Sequence, residues 1–141
     1  MTPNDERLTQ ILLETHTIAM VGASLDPARA SHRVGNYIAG QGYRVIPVNP
    51  GQAGERLFGE PIVASLEDIE GPVDMLNIFR RPEFVLPHVE KGLEVLDGLR
   101  SVWMQLGIEN ADARALATEA GKAVVEDRCL AIEHRRLIAR R

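Results

Sequence analysis

The sequence predicts an α/β protein built on a parallel sheet of five strands, doubly wound by helices into three α/β/α layers. Three observations lead there. Short apolar runs alternate with stretches of helical spacing along the 141 residues. Those runs are apolar at consecutive positions, as expected of strands covered on both faces. Strand and helix alternate without interruption, so each crossover returns the chain parallel to the previous strand in a right-handed sense.

Each element has its own signal. Asn4 is placed to cap a first helix that carries Leu8, Ile11 and Leu12 on one face. Thr17-Ile18-Ala19-Met20-Val21 is a buried strand ending at Gly22, and it is expected near the centre of the sheet. Val34, Tyr37 and Ile38 mark a helix that stops near Gly40-Gln41-Gly42. The second strand, from Tyr43 to Val48, contains Pro47, which has no donor and suggests a strand end or an edge. From Asn49 to Pro61, glycines and prolines predict one long surface loop. Ser65-Leu66-Glu67-Asp68 starts a short capped helix. Val73 to Ile78 is the third strand.

The alternation then repeats. Pro82 to Leu96 reads as a helix with Phe84, Val85, Val89, Leu93 and Leu96 inward; Pro87 is tolerated only in its first turn. Ser101 to Gln105 is the fourth strand. Asn110 caps a helix that runs to Ala120 and is closed by Gly121. Ala123 to Glu126 is the fifth strand. Leu130 to Ala139 is a last helix, with Arg135, Arg136 and Arg140 towards its negative dipole end. No repeat or linker divides the chain, so one domain over residues 1–141 is expected.

Composition removes several classes of function. Hydrophobic residues are 45% and charged residues 26%, a globular balance that excludes disorder. A net charge of −4 disfavours binding nucleic acid through a generally basic surface. One cysteine leaves no internal disulfide and suggests a reducing, cytoplasmic home. The first residues are polar, unlike a signal peptide, and no apolar run approaches the ~20 residues that span a bilayer, so no membrane partner is expected.

In doubly wound sheets, ligands sit outside the carboxyl ends of the strands, where the strand order reverses. The loops after Val21, Val48, Ile78 and Gln105 are therefore the places to search. In the first, Gly22 permits a tight turn, and Ala23 and Ser24 are small enough for a phosphate to approach the main chain. Ser31 is positioned to cap the following helix, whose start attracts anions. Arg29 and Arg33 add donors suited to phosphate. The same loop also reads as a surface turn with solvated arginines. It is not G-x-G-x-x-G, since Gly22 is its only glycine.

At the second strand's end stand Asn49 and Pro50, with no carboxylate before Glu55. A carboxylate there would hold the ribose hydroxyls of NAD. The third loop, Phe79-Arg80-Arg81-Pro82-Glu83, sets two cations beside an aromatic ring. The fourth, Gln105-Leu106-Gly107-Ile108, ends in a helix cap.

These loops, in this order, resemble the CoA-binding domain family, which includes the N-terminal domain of the succinyl-CoA synthetase α subunit and stand-alone proteins of this length. The resemblance rests on Val21-Gly22-Ala23-Ser24, on Gly42-Tyr43 with Pro47-Val48-Asn49-Pro50, and on Phe79-Arg80-Arg81-Pro82-Glu83. It extends through Trp103-Met104-Gln105-Leu106-Gly107-Ile108 to Asp127-Arg128-Cys129 with Glu133-His134. It implies a Rossmann-like, nucleotide-binding domain that holds coenzyme A or an acyl-CoA. By position, Gly22, Ala23, Ser24, Arg29, Ser31 and Arg33 would lie along the diphosphate, and Asn49 and Pro50 would flank the nucleotide. Phe79, Arg80 and Arg81 would line and rim the cleft, with Gln105, Gly107 and Ile108 nearer the pantetheine. The synthetase's phosphorylated histidine belongs to a second domain that this chain lacks, so its activity does not carry over.

Candidate catalytic groups do not converge in the sequence. On a helix from Leu130, Glu133 shares the face of Cys129 and His134 points away, a poor nucleophile–base pair. His16, His32, His88 and His134 fall in separate elements without metal-ligand spacing. The leading expectation is a CoA-binding carrier or regulatory protein. An NAD(P) oxidoreductase, an acyl-transfer enzyme working with a partner, and a ligand-free interaction protein are the alternatives.

Overall fold

The computed structural model describes residues 2–139. Five parallel strands form the sheet: β1 (Thr17–Val21), β2 (Arg44–Val48), β5 (Met75–Ile78), β6 (Ser101–Met104) and β7 (Ala123–Val125), in the order β2-β1-β5-β6-β7. The remaining two, β3 (Arg56–Leu57) and β4 (Glu60–Pro61), pair antiparallel in a small hairpin. The helices are α1 (Pro3–Glu14), α2 (Ala30–Gly40), α3 (Val85–Val95), α4 (Ala111–Glu119) and α5 (Leu130–His134), the last continuing as a π-helical turn over Arg135–Ala139. This is a Rossmann-like α/β fold. β5 holds the centre, with β1 beside it. None of the described helices is long and apolar enough to cross a membrane.

Alternation within each strand builds two cores. Ile18, Met20, Met75 and Trp103 face α1, α2 and α5, where they meet Leu8, Leu12, Ile38 and Leu130. Ala19, Val21, Leu76, Ile78, Val102 and Met104 face the other way, onto Val85 and Val89 of α3 and Ala113 and Ala117 of α4. Apolar residues at consecutive positions are thus accounted for: neither face of the sheet meets water.

The structure corrects several local expectations. The first helix is capped by Thr2, whose side chain accepts from the Asp5 N–H at 3.0 Å, and Asn4 lies inside the first turn. Ser31 is not a cap: α2 follows Arg29, and Ser31 is buried in its first turn. The segment at Leu66–Asp68 is a single 3-10 turn. Another 3-10 turn, Pro82–Phe84, precedes α3, so Pro87 does fall in the first turn of the α-helix, while Phe84 is exposed rather than inward. Asn110 caps α4, accepting from the Ala113 N–H at 2.9 Å. Arg140 lies outside the described residues.

The long loop after β2 is more ordered than the sequence suggested. A 3-10 turn over Pro50–Gln52 leads to the β3–β4 hairpin. Phe58, at its tip with φ 57°, lays its ring against Gly35 of α2. A side chain at Gly35 would collide with that ring, its Cβ 2.1 Å from Phe58 Cζ. The chain then bridges Val63 to Val48, which extends the carboxyl end of β2.

Candidate functional site

The strand order reverses between β1 and β5. A cleft of about 480 Å³ opens there, at the carboxyl edge. That volume lies within the roughly 300–1,000 Å³ usual for small-molecule sites. Val21 and Gly22 form its floor with Val48, Asn49 and Pro50. Arg80, Pro87, His88 and Lys91 form one wall, and Ala64, Ser65 and Leu66 complete the lining.

Gly22 holds the floor together. Its φ is +85°, and a Cβ there would sit 2.2 Å from the Phe79 carbonyl oxygen. The loop can therefore lie against β5 only with glycine at this position. The Gly22 N–H donates to Val48 O at 3.2 Å. Asn49 ties the two loops: Nδ2 donates to Ala23 O at 2.8 Å and to Gln52 Oε1 at 3.3 Å, and Oδ1 accepts from the Gly51 N–H at 2.9 Å. Further along, Gln52 takes the Leu25 N–H, and Ser24 Oγ takes that of Asp26. Among the described residues, no protein acceptor meets the N–H groups of Ala23 and Ser24.

The wall is cationic. Arg80 is half-buried, with its guanidinium carbon 4.8 Å from the centre of the Phe84 ring. Its Nη1 lies 3.4 Å from His88 Nε2. Among the described residues no carboxylate pairs with it. Lys91 is shared between Glu67 and Glu94, each at 3.5 Å. Burial, then the Arg80 charge, holds the His88 imidazole below the ordinary histidine pKa. A half-buried cation without a carboxylate partner among the described residues suits an anion.

The other expected site residues are spread around this edge. Arg29 is exposed, and Arg33 turns back to donate to Ala28 O at 2.9 Å. Ser31 is buried within α2, and Ala23 is buried beneath its own loop. His32 Nδ1 is 2.9 Å from Ser24 O, bracing the first loop from within. Phe79 packs into the core on the α2 side, and Arg81 is exposed, its guanidinium 6.0 Å from the Phe84 ring centre. Gln105 is buried, and its Oε1 accepts from the Leu130 N–H at 3.3 Å. Gly107 donates to Asp127 Oδ1 at 2.6 Å, and Ile108 packs against the core on the α3 side.

So the cleft gathers Gly22, Asn49, Pro50 and Arg80. Ala23, Ser24, Arg29, Ser31, Arg33, Phe79, Arg81 and the residues after β6 are not among its lining. It adds residues that the sequence reading missed. His88 and Lys91 carried a signal: they stand three apart on α3, beside its inward stripe of Val85 and Val89. Ala64 to Leu66 carried none, because a single bridge at Val63 brings them there.

Cys129 is half-buried before α5. The Glu133 carboxylate is held by Arg128 at 3.2 Å and by Arg136 at 2.6 Å. His134, buried, has Nδ1 3.1 Å from the Tyr37 hydroxyl. Burial foremost, with the Arg135 charge behind it, lowers its pKa. No group of three or more metal-ligating side chains occurs among the described residues.

A doubly wound parallel sheet with a cleft at its switch point defines the Rossmann-like class of architecture. Within that class, residues 16–135 match the CoA binding domain family, and the chain belongs to it. It is 36% identical over 132 residues to the uncharacterized protein YneT of Bacillus subtilis, covering 94% of this chain and 95% of that one. Among solved structures, a Thermus thermophilus protein designated cell-free ID.343 is 46% identical, with a TM-score of 0.90 over 96% of this chain and 99% of that one. A hypothetical protein of Pyrococcus horikoshii OT3 is 35% identical, with a TM-score of 0.88 over 98% of this chain and 93% of that one.

Proposed function

We propose that this chain acts as one unit that binds coenzyme A, or an acyl-CoA, at the carboxyl edge of its sheet, as a carrier or regulatory protein of the cytoplasm. The observation that carries the reading is Arg80: half-buried in the cleft wall, it has no carboxylate partner among the described residues. Membership of a CoA binding domain family supports the choice of ligand. CoA would bring its phosphates to Arg80 and to the first loop at Gly22, and its nucleotide to Asn49 and Pro50. A cleft of about 480 Å³ takes the nucleotide end and leaves the pantetheine arm to run outward along the edge.

NAD fits less well. The Asn49 side chain is spent on Ala23, Gly51 and Gln52, so the end of β2 offers ribose hydroxyls no carboxylate. The surroundings of Cys129 support a role without chemistry, since Glu133 is committed to two arginines. Titration calorimetry with CoA, dephospho-CoA and NAD tests the reading. Micromolar CoA binding, about −8 kcal/mol, with much weaker NAD binding is expected. NAD binding as tight as CoA would overturn it.

A further inference from the structure

We infer that His88 couples ligand binding in this cleft to proton uptake, passing from a neutral acceptor of Arg80 to a charged donor to the bound phosphate. The inference rests on reading the cleft as the CoA site and adds a linked proton to it.

The geometry sets the starting state. Arg80 has only donors, so a contact from its Nη1 to His88 Nε2, at 3.4 Å, requires a lone pair on that nitrogen. A proton on Nε2 would face a guanidinium donor head-on. The free protein therefore keeps His88 neutral, in accord with its burial and the Arg80 charge.

Other charges near the imidazole do not relieve this. Lys91, one turn further along α3, is a second cation on the same wall. From the 3-10 turn packed on α3, Glu67 is held by Lys91 at 3.5 Å. Glu94, on α3 itself, is held by Lys91 as well. On α4, Arg114 is turned to Glu126 at 2.7 Å, and Glu83 on the 3-10 turn before α3 and Glu90 on α3 are exposed to solvent. Of the other residues lining the cleft, Asn49, Pro50 and Ser65 are uncharged.

A phosphate changes both terms. It draws the guanidinium donors of Arg80 to its oxygens, which frees His88 Nε2. It also places negative charge beside the imidazole, and an opposite charge within about 4–6 Å favours the protonated form. The proton comes from solvent and lands on Nε2, which can then donate to the phosphate. Binding and protonation thus strengthen each other. One linked proton raises affinity by at most tenfold for each unit of falling pH, and roughly three- to tenfold between pH 8 and pH 6 is expected.

Calorimetry with CoA at pH 7, in buffers of contrasting ionisation enthalpy, counts the protons taken up. The parent is compared with His88→Gln, whose side-chain oxygen can still accept from Arg80 but gains no proton. Any proton released from the ligand's own ribose phosphate is common to both proteins, so the difference belongs to His88. The expected result is greater uptake by the parent and a flatter pH profile for the variant. In the unmutated protein, the NMR titration of the His88 ring should move to higher pH when CoA is added. CoA binding with equal uptake by both proteins, or a ring titration that CoA leaves unmoved, overturns the inference while leaving the CoA reading intact. No CoA binding at any pH overturns both.

Discussion

Gly22→Ala is expected to destabilise the fold far more than Gly107→Ala, although the two glycines share one backbone conformation. Their φ angles are +85° and +83°. A left-handed conformation costs an L residue roughly 1–2 kcal/mol, and both variants incur that. Only Gly22 adds a collision. Its new Cβ would lie 2.2 Å from the Phe79 carbonyl oxygen and 2.9 Å from the carbonyl carbon, whereas a Cβ on Gly107 meets nothing within 4 Å. Phe79 cannot easily recede, because its N–H donates to Val21 O at 2.9 Å.

Overpacking of this kind costs about 1–3 kcal/mol. If the loop yields instead, the bond from Gly22 to Val48 O is lost, at about 1 kcal/mol. The sum for Gly22→Ala is roughly 2–5 kcal/mol, a large part of the ~5–15 kcal/mol that holds a domain together. Urea unfolding reads the difference: with a slope of about 1–3 kcal/mol per molar, an extra 2 kcal/mol moves the midpoint by roughly 1 M. Equal midpoints for the two variants would refute the argument that close approach to β5, rather than backbone conformation alone, demands this glycine.

Arg80→Ala should weaken CoA binding about tenfold to a hundredfold, the worth of a partly buried charge-assisted hydrogen bond, while Arg29→Ala, Arg33→Ala and Arg81→Ala stay within roughly fivefold. Calorimetry on all four checks it, and equal losses would move the anion site away from the cleft. Asn49→Ala should cost about 1–3 kcal/mol in urea unfolding by freeing the loops after β1 and β2, and it should weaken CoA binding with it. Unchanged stability would show that the loops do not depend on this clamp. Stability should also fall as pH drops below about 6.5, because the unfolded chain binds protons on His88 and His134 that the folded chain refuses. Replacing His134 with Gln should flatten that slope in urea midpoints measured from pH 7.5 to pH 5; a slope identical to the parent's would place its origin elsewhere.

What the sequence determined by itself was the architecture and the edge at which to look. Consecutive apolar residues such as Ile18 to Val21 and Leu76 to Ile78 can be buried only with cover on both faces, and their alternation with helices leaves little choice but parallel strands. Gly22 was legible as a turn, and Asn110 and Gly121 as helix ends, because these signals are local. Tertiary structure alone decided which of the four arginines reaches the cleft. Arg29, Arg33, Arg80 and Arg81 look alike in sequence, but Arg33 is spent on the Ala28 carbonyl, Arg29 and Arg81 are exposed, and Arg80 is drawn into the wall between Phe84 and His88. Gly22 shows the same division: its backbone conformation is a local property, but the carbonyl it must clear belongs to Phe79, fifty-seven residues away along the chain. Ala64 to Leu66, His88 and Lys91 joined the site for a similar reason. A cleft is made where segments distant in sequence come to rest, and which of them meet is set by strand order and packing rather than by any one segment's own composition.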